Sequence, residues 1–260
     1  VVGIPHFLKS KSQLKREREY EKRKAEEMLG KAIPFDPKFK WQKEVCFDAN
    51  SYNAWLKKFF LFPDLEAVTP KTMDPLDGPH IASPSGDLVY VHRTFPKATR
   101  LGTVYGKHTG SVWFTGPVTF PVLLRRRQGH MELRDENVWM SLTPFEVFSL
   151  RGGTRYAKGH TVIAGLGLGY QLIQVCKRKK VKRVTLVEIE KELVDWLLPV
   201  IRPHLNGMNV KVVIGDARKL VPKMTADSAL IDIDAGYGGN YIAECPKIGH
   251  VWVWGSTYAD

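Results

Sequence analysis

The chain has 260 residues, 43% of them hydrophobic, enough to bury a core in one large domain or two small ones. Its longest apolar stretches, TVIAGLGLGY and ALIDIDAG, carry glycine or charge and fall short of the ~20 residues that span a bilayer, so neither a transmembrane helix nor a membrane partner is expected. A net charge of +12 favours an anionic partner, because summed positive potential attracts phosphate at long range.

Much of that charge sits in the run Lys9–Lys24 and in the clusters RRR (Arg125–Arg127) and KRKKVKR (Lys177–Arg183). No established nucleic-acid motif accompanies them, and solvated surface is the plainer reading. Cys46, Cys176 and Cys245 are scattered, with neither CxxC spacing nor a histidine pair beside them, so they read as reduced packing residues. The opening VVGIPHFLKSKS lacks a basic leader, an apolar core and a cleavage site, which makes a cytoplasmic protein the expectation.

Taken in chain order, SQLKREREYEKRKAEEMLG predicts a helix capped by Ser12 and stopped by Gly30, with charges at ion-pairing spacing. Its apolar stripe is too narrow to bury much, so residues 1–40 are expected to form an exposed basic arm and linker. SYNAWLKKFFLF predicts a short helix that packs Trp55, Phe59, Phe60 and Phe62 on the body, and residues 63–87 read as turn-rich loop. From Leu88 to Leu133 the runs LVYVH, GTVYG, SVWFTG, VTFPVLL and HMELR predict a small antiparallel layer, and residues 41–150 are taken as a β-rich N-terminal region. SLTPFEVFSLRGG predicts a helix that ends at its glycine pair.

After Thr161 the rhythm becomes strand (TVIAG), helix (YQLIQVCKRKK), strand (RVTLVE), helix (IEKELVDWLLPVIRPHL), then strands VKVVIGD, SALIDID and HVWVWGS. The alternation predicts an α/β fold in which residues 151–260 form a Rossmann-like parallel sheet, shortened at the C-terminus, with its ligand beyond the carboxyl ends of the strands. Either the sheet is truncated or the sequence is an excerpt, as its start at Val1 also suggests.

Gly165, Gly167 and Gly169 form GxGxG directly after the first of these strands, where a tight turn and close approach of a cofactor both favour glycine. The dinucleotide fingerprint GxGxxG would need a further glycine where Tyr170 stands. Glu188 ends the next strand about 20 residues on, where a carboxylate meets ribose hydroxyls. Asp216, followed by Ala217, and Asp234 stand at the ends of the third and fourth. Each acid alone would serve equally as a helix or turn cap; their joint position at successive strand ends points to a nucleotide-cofactor site.

The pieces VIAGLGLGY, VTLVEIEKELVDW and VKVVIGDARKL resemble the class I S-adenosylmethionine-dependent methyltransferases, most of all the branch that includes spermidine synthases, over roughly residues 131–234. The resemblance implies S-adenosylmethionine as cofactor, with Gly165, Gly167 and Gly169 facing its methionine part, Glu188 at the ribose, Asp216 with Ala217 at the adenine, and Leu166 and Ile189 among the further cofactor-binding residues. It also implies a methyl acceptor near Asp234, the candidate group to orient or deprotonate it, with Trp139, Glu146 and Tyr237 lining the substrate side. Three positions depart from the family. Ile163 replaces an acid that many methyltransferases carry, and DAGYGGN lacks both the acid-rich Asp-Pro ending of spermidine synthases and the prolines of the Asp-Pro-Pro-Tyr motif in amino-methyltransferases. A methyltransferase is therefore the expectation. An aminopropyltransferase and a non-catalytic cofactor-binding scaffold are the alternatives, with nucleic acid on the basic arm and a homodimer as candidate partners.

Overall fold

The computed structural model describes residues 10–68, 78–103, 110–125, 138–234 and 242–255. The first element is α1 (Lys11–Leu29), capped by Ser10 and not Ser12. Ser10 Oγ accepts the Gln13 N–H at 3.2 Å while Gln13 Oε1 accepts the Ser10 N–H at 2.8 Å, a reciprocal capping box that Ser12, facing Lys15, has no partner to form. The expectation of an exposed arm fails at its far end. Met28 is only 5% exposed and packs on Cys46 and Trp113, and Lys24 reaches Glu44 at 2.7 Å. Met28 is joined there by the partly buried Ala25 and Leu29, and Glu21 pairs with Arg100 at 2.7 Å, so the last turns dock although the average hydropathy of the helix is low.

The N-terminal region continues with β1 (Glu44–Phe47), α2 (Ala49–Leu56), β2 (Ala67–Val68), β3 (Ile81–Ala82), β4 (Leu88–Phe95), β5 (Leu101–Thr103), β6 (Gly110–Phe114), β7 (Val118–Arg125) and β8 (Val138–Ser141). Instead of one antiparallel layer there are two mixed sheets. In one, β6 pairs with β5 antiparallel and with β1 parallel; in the other, β4, β7 and β8 run antiparallel with β2 added parallel. The partners β1 and β2 come from far along the chain, which local alternation does not register. HMELR and most of GTVYG lie outside the described residues.

Next comes α3 (Pro144–Tyr156), with Pro144 at its first turn, where no N–H is required. Gly152 and Gly153 lie inside this helix and do not end it. A side chain at Gly153 would overlap the Trp252 indole, so glycine there lets the helix lie flat on the sheet. The sheet itself follows: β9 (Gly159–Ala164), α4 (Tyr170–Cys176), β10 (Val181–Glu188), α5 (Lys191–Ile201), β11 (Val210–Ile214), α6 (Ala217–Leu220), β12 (Ser228–Ile231) and β13 (Val251–Val253). All five strands are parallel, in the order β11-β10-β9-β12-β13.

Strand periodicity splits the side chains between two cores. Ile163, Leu186 and Leu230 face α4, α5 and the N-terminal region, whereas Val162, Ala164, Val187, Ala229 and Ile231 face Ala217 and Val221 on the other side. The first core is continuous with the N-terminal sheets through Tyr52, Phe59, Phe114 and Phe148, so the boundary expected at residue 151 falls inside α3. Cys46 and Cys176 are buried and all three thiols are unbridged, as packing residues should be. Among the described residues no helix is long and apolar enough to cross a membrane.

Met28→Ala should destabilise the protein by roughly 2 kcal/mol or more in urea denaturation, the cost of emptying a packed methionine site. Removing residues 1–19, upstream of the docked turns, should change stability by less than about 0.5 kcal/mol. Equal effects of the two changes would contradict docking through Met28.

Candidate functional site

The strand order reverses at β9, with β10 added on one side and β12 on the other, and ligands of such sheets bind in the crevice beyond the carboxyl ends at that point. A cleft of about 150 Å³ lies there, lined from β8, α3, the glycine loop, α4 and the ends of β10, β11 and β12.

The three glycines have different reasons. A side chain at Gly165 would run into the Asp232 carbonyl, because the two strand ends are joined tightly by the Asp232 N–H to Ala164 O hydrogen bond of 2.9 Å. Gly169 does not line the cleft: an added Cβ would stand 2.6 Å from Ile201 Cδ1, so this glycine seats α4 against α5. Gly167, at φ +54°, does open on the cleft, and a Cβ there would come within 3.1 Å of Met140 Sδ.

Glu188, buried at the end of β10, lines the same cleft. Its Oε2 accepts the Leu166 N–H at 2.7 Å and its Oε1 accepts the Glu190 N–H at 2.9 Å, so one carboxylate ties the glycine loop to the start of α5. Burial raises its pKa, against the opposing pull of its backbone hydrogen bonds and of Arg125. Each oxygen keeps a second acceptor direction for a ligand hydroxyl. Beside it Ile189 is 64% exposed, a large apolar side chain left in water at the cleft wall. Asp216 caps α6 by accepting the Arg218 N–H at 2.9 Å, and Ala217 behind it is buried; both border the cleft.

The fourth strand needs a correction. Because β12 ends at Ile231, the carboxyl placed in the cleft beside the loop is Asp232. Asp234 also borders the cleft, but further out, 3.5 Å from Arg218, with both side chains 43% exposed. Burial pushes the Asp232 carboxyl up to about 7. Glu146, in the first turn of α3, lines the cleft too, and burial reinforced by the charge of Asp232 pushes it up to about 8. Trp139 on β8 is covered by the Arg125 guanidinium at 4.0 Å, and Arg125 pairs with Glu190, which fixes this wall to the β10–α5 turn. Tyr237 lies outside the described residues.

Sequence reasoning missed Gln171 as well as Asp232. Gln171 is 6% exposed on the first turn of α4 and lines the cleft, and its Nε2 has no hydrogen-bond partner among the described residues. A buried orphan amide donor is costly unless something not yet present accepts from it. Its signal in the sequence was a polar side chain two positions after the last glycine of the loop. Among the described residues no group of three or more His, Cys, Asp or Glu could hold a metal ion.

No family model matches the chain, and no curated protein does. Among solved structures, the chain is similar to a 23S rRNA methyltransferase, ErmE (22% identity, 38% of this chain and 41% of that one, TM-score 0.30), and to TYW2 of M. jannaschii in complex with AdoMet (20%, 42% and 50%, 0.29). It is similar also to a precorrin-8W decarboxylase of Methanobacterium thermoautotrophicum (25%, 30% and 42%, 0.26). The chain thus spans half or less of the length of each of these proteins. At such TM-scores these likenesses decide nothing about activity. The doubly wound parallel sheet with its cleft at the switch point defines a Rossmann-like fold on its own geometry.

Because Glu146 and Asp232 have folded pKa values above those of free carboxyls, the native state holds protons that the unfolded chain releases. Their stabilising contribution is full below about pH 4 and is lost as pH rises through about 7 to 8. Glu146→Gln should therefore raise the urea midpoint at pH 8.5, by an amount corresponding to roughly 1–3 kcal/mol, and much less at pH 5. Parallel stability profiles for variant and wild type between those pH values would show that Glu146 titrates as a free carboxyl does.

Proposed function

We propose that the chain is an S-adenosylmethionine-dependent methyltransferase with an acceptor still to be identified. The observation that supports this most directly is the charge of the cleft. A dinucleotide would bring an anionic pyrophosphate to the glycine loop, where Glu146, Glu188 and Asp232 already converge and where the lining cation Arg218 is engaged by Asp234. A cofactor carrying a sulfonium and an ammonium matches that sign. The rest of the lining fits it too: Gln171 Nε2 would donate to the methionine carboxylate, Glu188 would accept from the ribose hydroxyls, and Ile189 with Asp216 and Ala217 would hold the adenine.

When bound, S-adenosylmethionine supplies a methyl group activated by its sulfonium, so the protein's task is placement more than activation. Near neutral pH Glu146, pushed up to about 8, is largely protonated and offers a hydrogen bond at the floor of the cleft, while Asp232, at about 7, is about half ionised and supplies part of the negative charge there. Asp232, with a carboxyl close to neutrality, takes over from Asp234 as the group matched to accept a proton from the acceptor. Trp139 and Met140 form the wall beside Gly167.

The same acids favour a second reading, an aminopropyltransferase of the spermidine synthase-like kind, because they make the cleft suitable for a cationic acceptor despite the basic composition of the chain. Decarboxylated S-adenosylmethionine separates the two. It lacks the carboxylate that Gln171 would bind, so a methyltransferase should prefer the intact cofactor and an aminopropyltransferase the decarboxylated one.

In calorimetry S-adenosylmethionine should bind and NADH should not. Glu188→Ala should weaken that binding by about 1.5–3 kcal/mol, the range for losing charge-assisted hydrogen bonds, with added loosening of the Leu166 turn. Gly167→Val should abolish it. NADH binding more tightly than S-adenosylmethionine, or unchanged affinity in a folded Glu188→Ala protein, would sink the assignment.

A further inference from the structure

A second cavity, of about 290 Å³, lies at the other end of the parallel sheet. Its walls come from the end of α3 (Arg155 and Tyr156), the turn into β9 (Lys158), the turn into β10 (Arg178 and Lys180) and the residue before β13 (His250). All of these precede the amino ends of strands, so the cavity is separated from the cleft by the length of β9, about 20 Å at ~3.3 Å per residue.

Four cationic side chains converge here, and no Asp or Glu lines the cavity. Among the described residues no carboxylate pairs with Arg155, Lys158, Arg178 or Lys180, in contrast to the arm, where Lys24 and Lys31 are held by Glu44 and Glu27. Of the KRKKVKR cluster, Arg178 and Lys180 line the cavity. Arg178 is locked by donating to the Arg155 and Ala157 carbonyls at 2.7 and 3.1 Å, which also covers the negative pole of α3. With that pole occupied, nothing in the cavity competes with an anion. At its rim Tyr156 is 39% exposed and stacks on His250, with ring centroids 4.2 Å apart. Converged cations beside an exposed aromatic face are what a single nucleic-acid strand requires, phosphate on the first and a base on the second.

We infer that this cavity is a phosphate-binding site for a single-stranded polynucleotide, separate from the cofactor cleft and independent of the reading of that cleft. The probe is a fluorescein-labelled single-stranded 12-nucleotide RNA of mixed sequence, titrated by anisotropy with the full chain at several salt concentrations. Lys158→Ala/Lys180→Ala should weaken binding at least tenfold and make the salt dependence shallower by about 1.4 units, since each of the two lost phosphate contacts on a single strand contributes ~0.7. Lys57→Ala/Lys58→Ala removes the same charge from an exposed site elsewhere and should change affinity less than about twofold. Tyr156→Ala should weaken binding about tenfold through lost stacking. Absence of binding by the wild type, or equal losses in the two double variants, would overturn the site. Unchanged binding in Tyr156→Ala would overturn the stacking that singles out a single strand, and inorganic phosphate binding in calorimetry as tightly as the RNA would replace the polynucleotide with a small anion. Since the variants leave the cleft untouched, S-adenosylmethionine calorimetry on the same proteins reports on the cofactor assignment separately.

Discussion

The cleft depends on one carboxylate. Glu188 accepts hydrogen bonds from Leu166, inside the glycine loop, and from Glu190, at the start of α5, while standing at the last residue of β10. A loop with glycines at 165, 167 and 169 has little local reason to hold one conformation, because each is free to leave its positive φ. Two charge-assisted hydrogen bonds in a buried setting supply that reason. The cost shows in the raised pKa of Glu188: desolvation outweighs the bonds that favour its charged form. A ribose bringing further donors would restore part of that balance, which couples ligand binding to the order of the loop.

Around this point the N-terminal region and the sheet share their packing. Tyr52 on α2 donates its hydroxyl to the Leu142 carbonyl at 3.0 Å, just before α3, and Trp254 after β13 donates to Ser149 Oγ at 2.9 Å. The helix that carries Glu146 is therefore held from both sides, and Phe59 meets Tyr170 edge-on at 5.1 Å to seat α4 in the same way. Groups in the cleft come from elements fixed by burial, which keeps their separation constant without a ligand.

The sequence made the parallel sheet legible because its signals are local: β-branched runs, glycine turns and helical spacing recur at short range. Glu188 was legible for the same reason. What escaped depended on distant neighbours. Gly152 and Gly153 look like a helix end until Trp252, nearly a hundred residues later, is seen to occupy the space a side chain would need. Asp232 and Asp234 are interchangeable in LIDID, and only the hydrogen bond from Asp232 N–H to Ala164 O, which ties Asp232 to the end of β9, shows which of the two stands beside the glycine loop. The Ser10 cap was within reach, since Ser-x-x-Gln was there to be read and Ser12 offered no such pair. Met28 was not, because Ala25, Met28 and Leu29 span little more than one turn and leave no sustained periodicity.

The element that joins the two ends of the molecule is α3. Its first turn carries Glu146 to the acidic cleft and its last turn carries Arg155 to the basic cavity. At thirteen residues and ~1.5 Å per residue it runs about 20 Å, the length of β9 beside it. Arg155 stands near the negative pole of the helix dipole, where a base adds to the stability of the helix. A net charge of +12 conceals this polarity. The excess is not spread evenly: Glu146, Glu188 and Asp232 line the cleft at the carboxyl ends of the strands, whereas Arg155, Lys158, Arg178 and Lys180 line the cavity at the amino ends, where the nearby Asp227 is engaged by the His160 N–H at 2.7 Å.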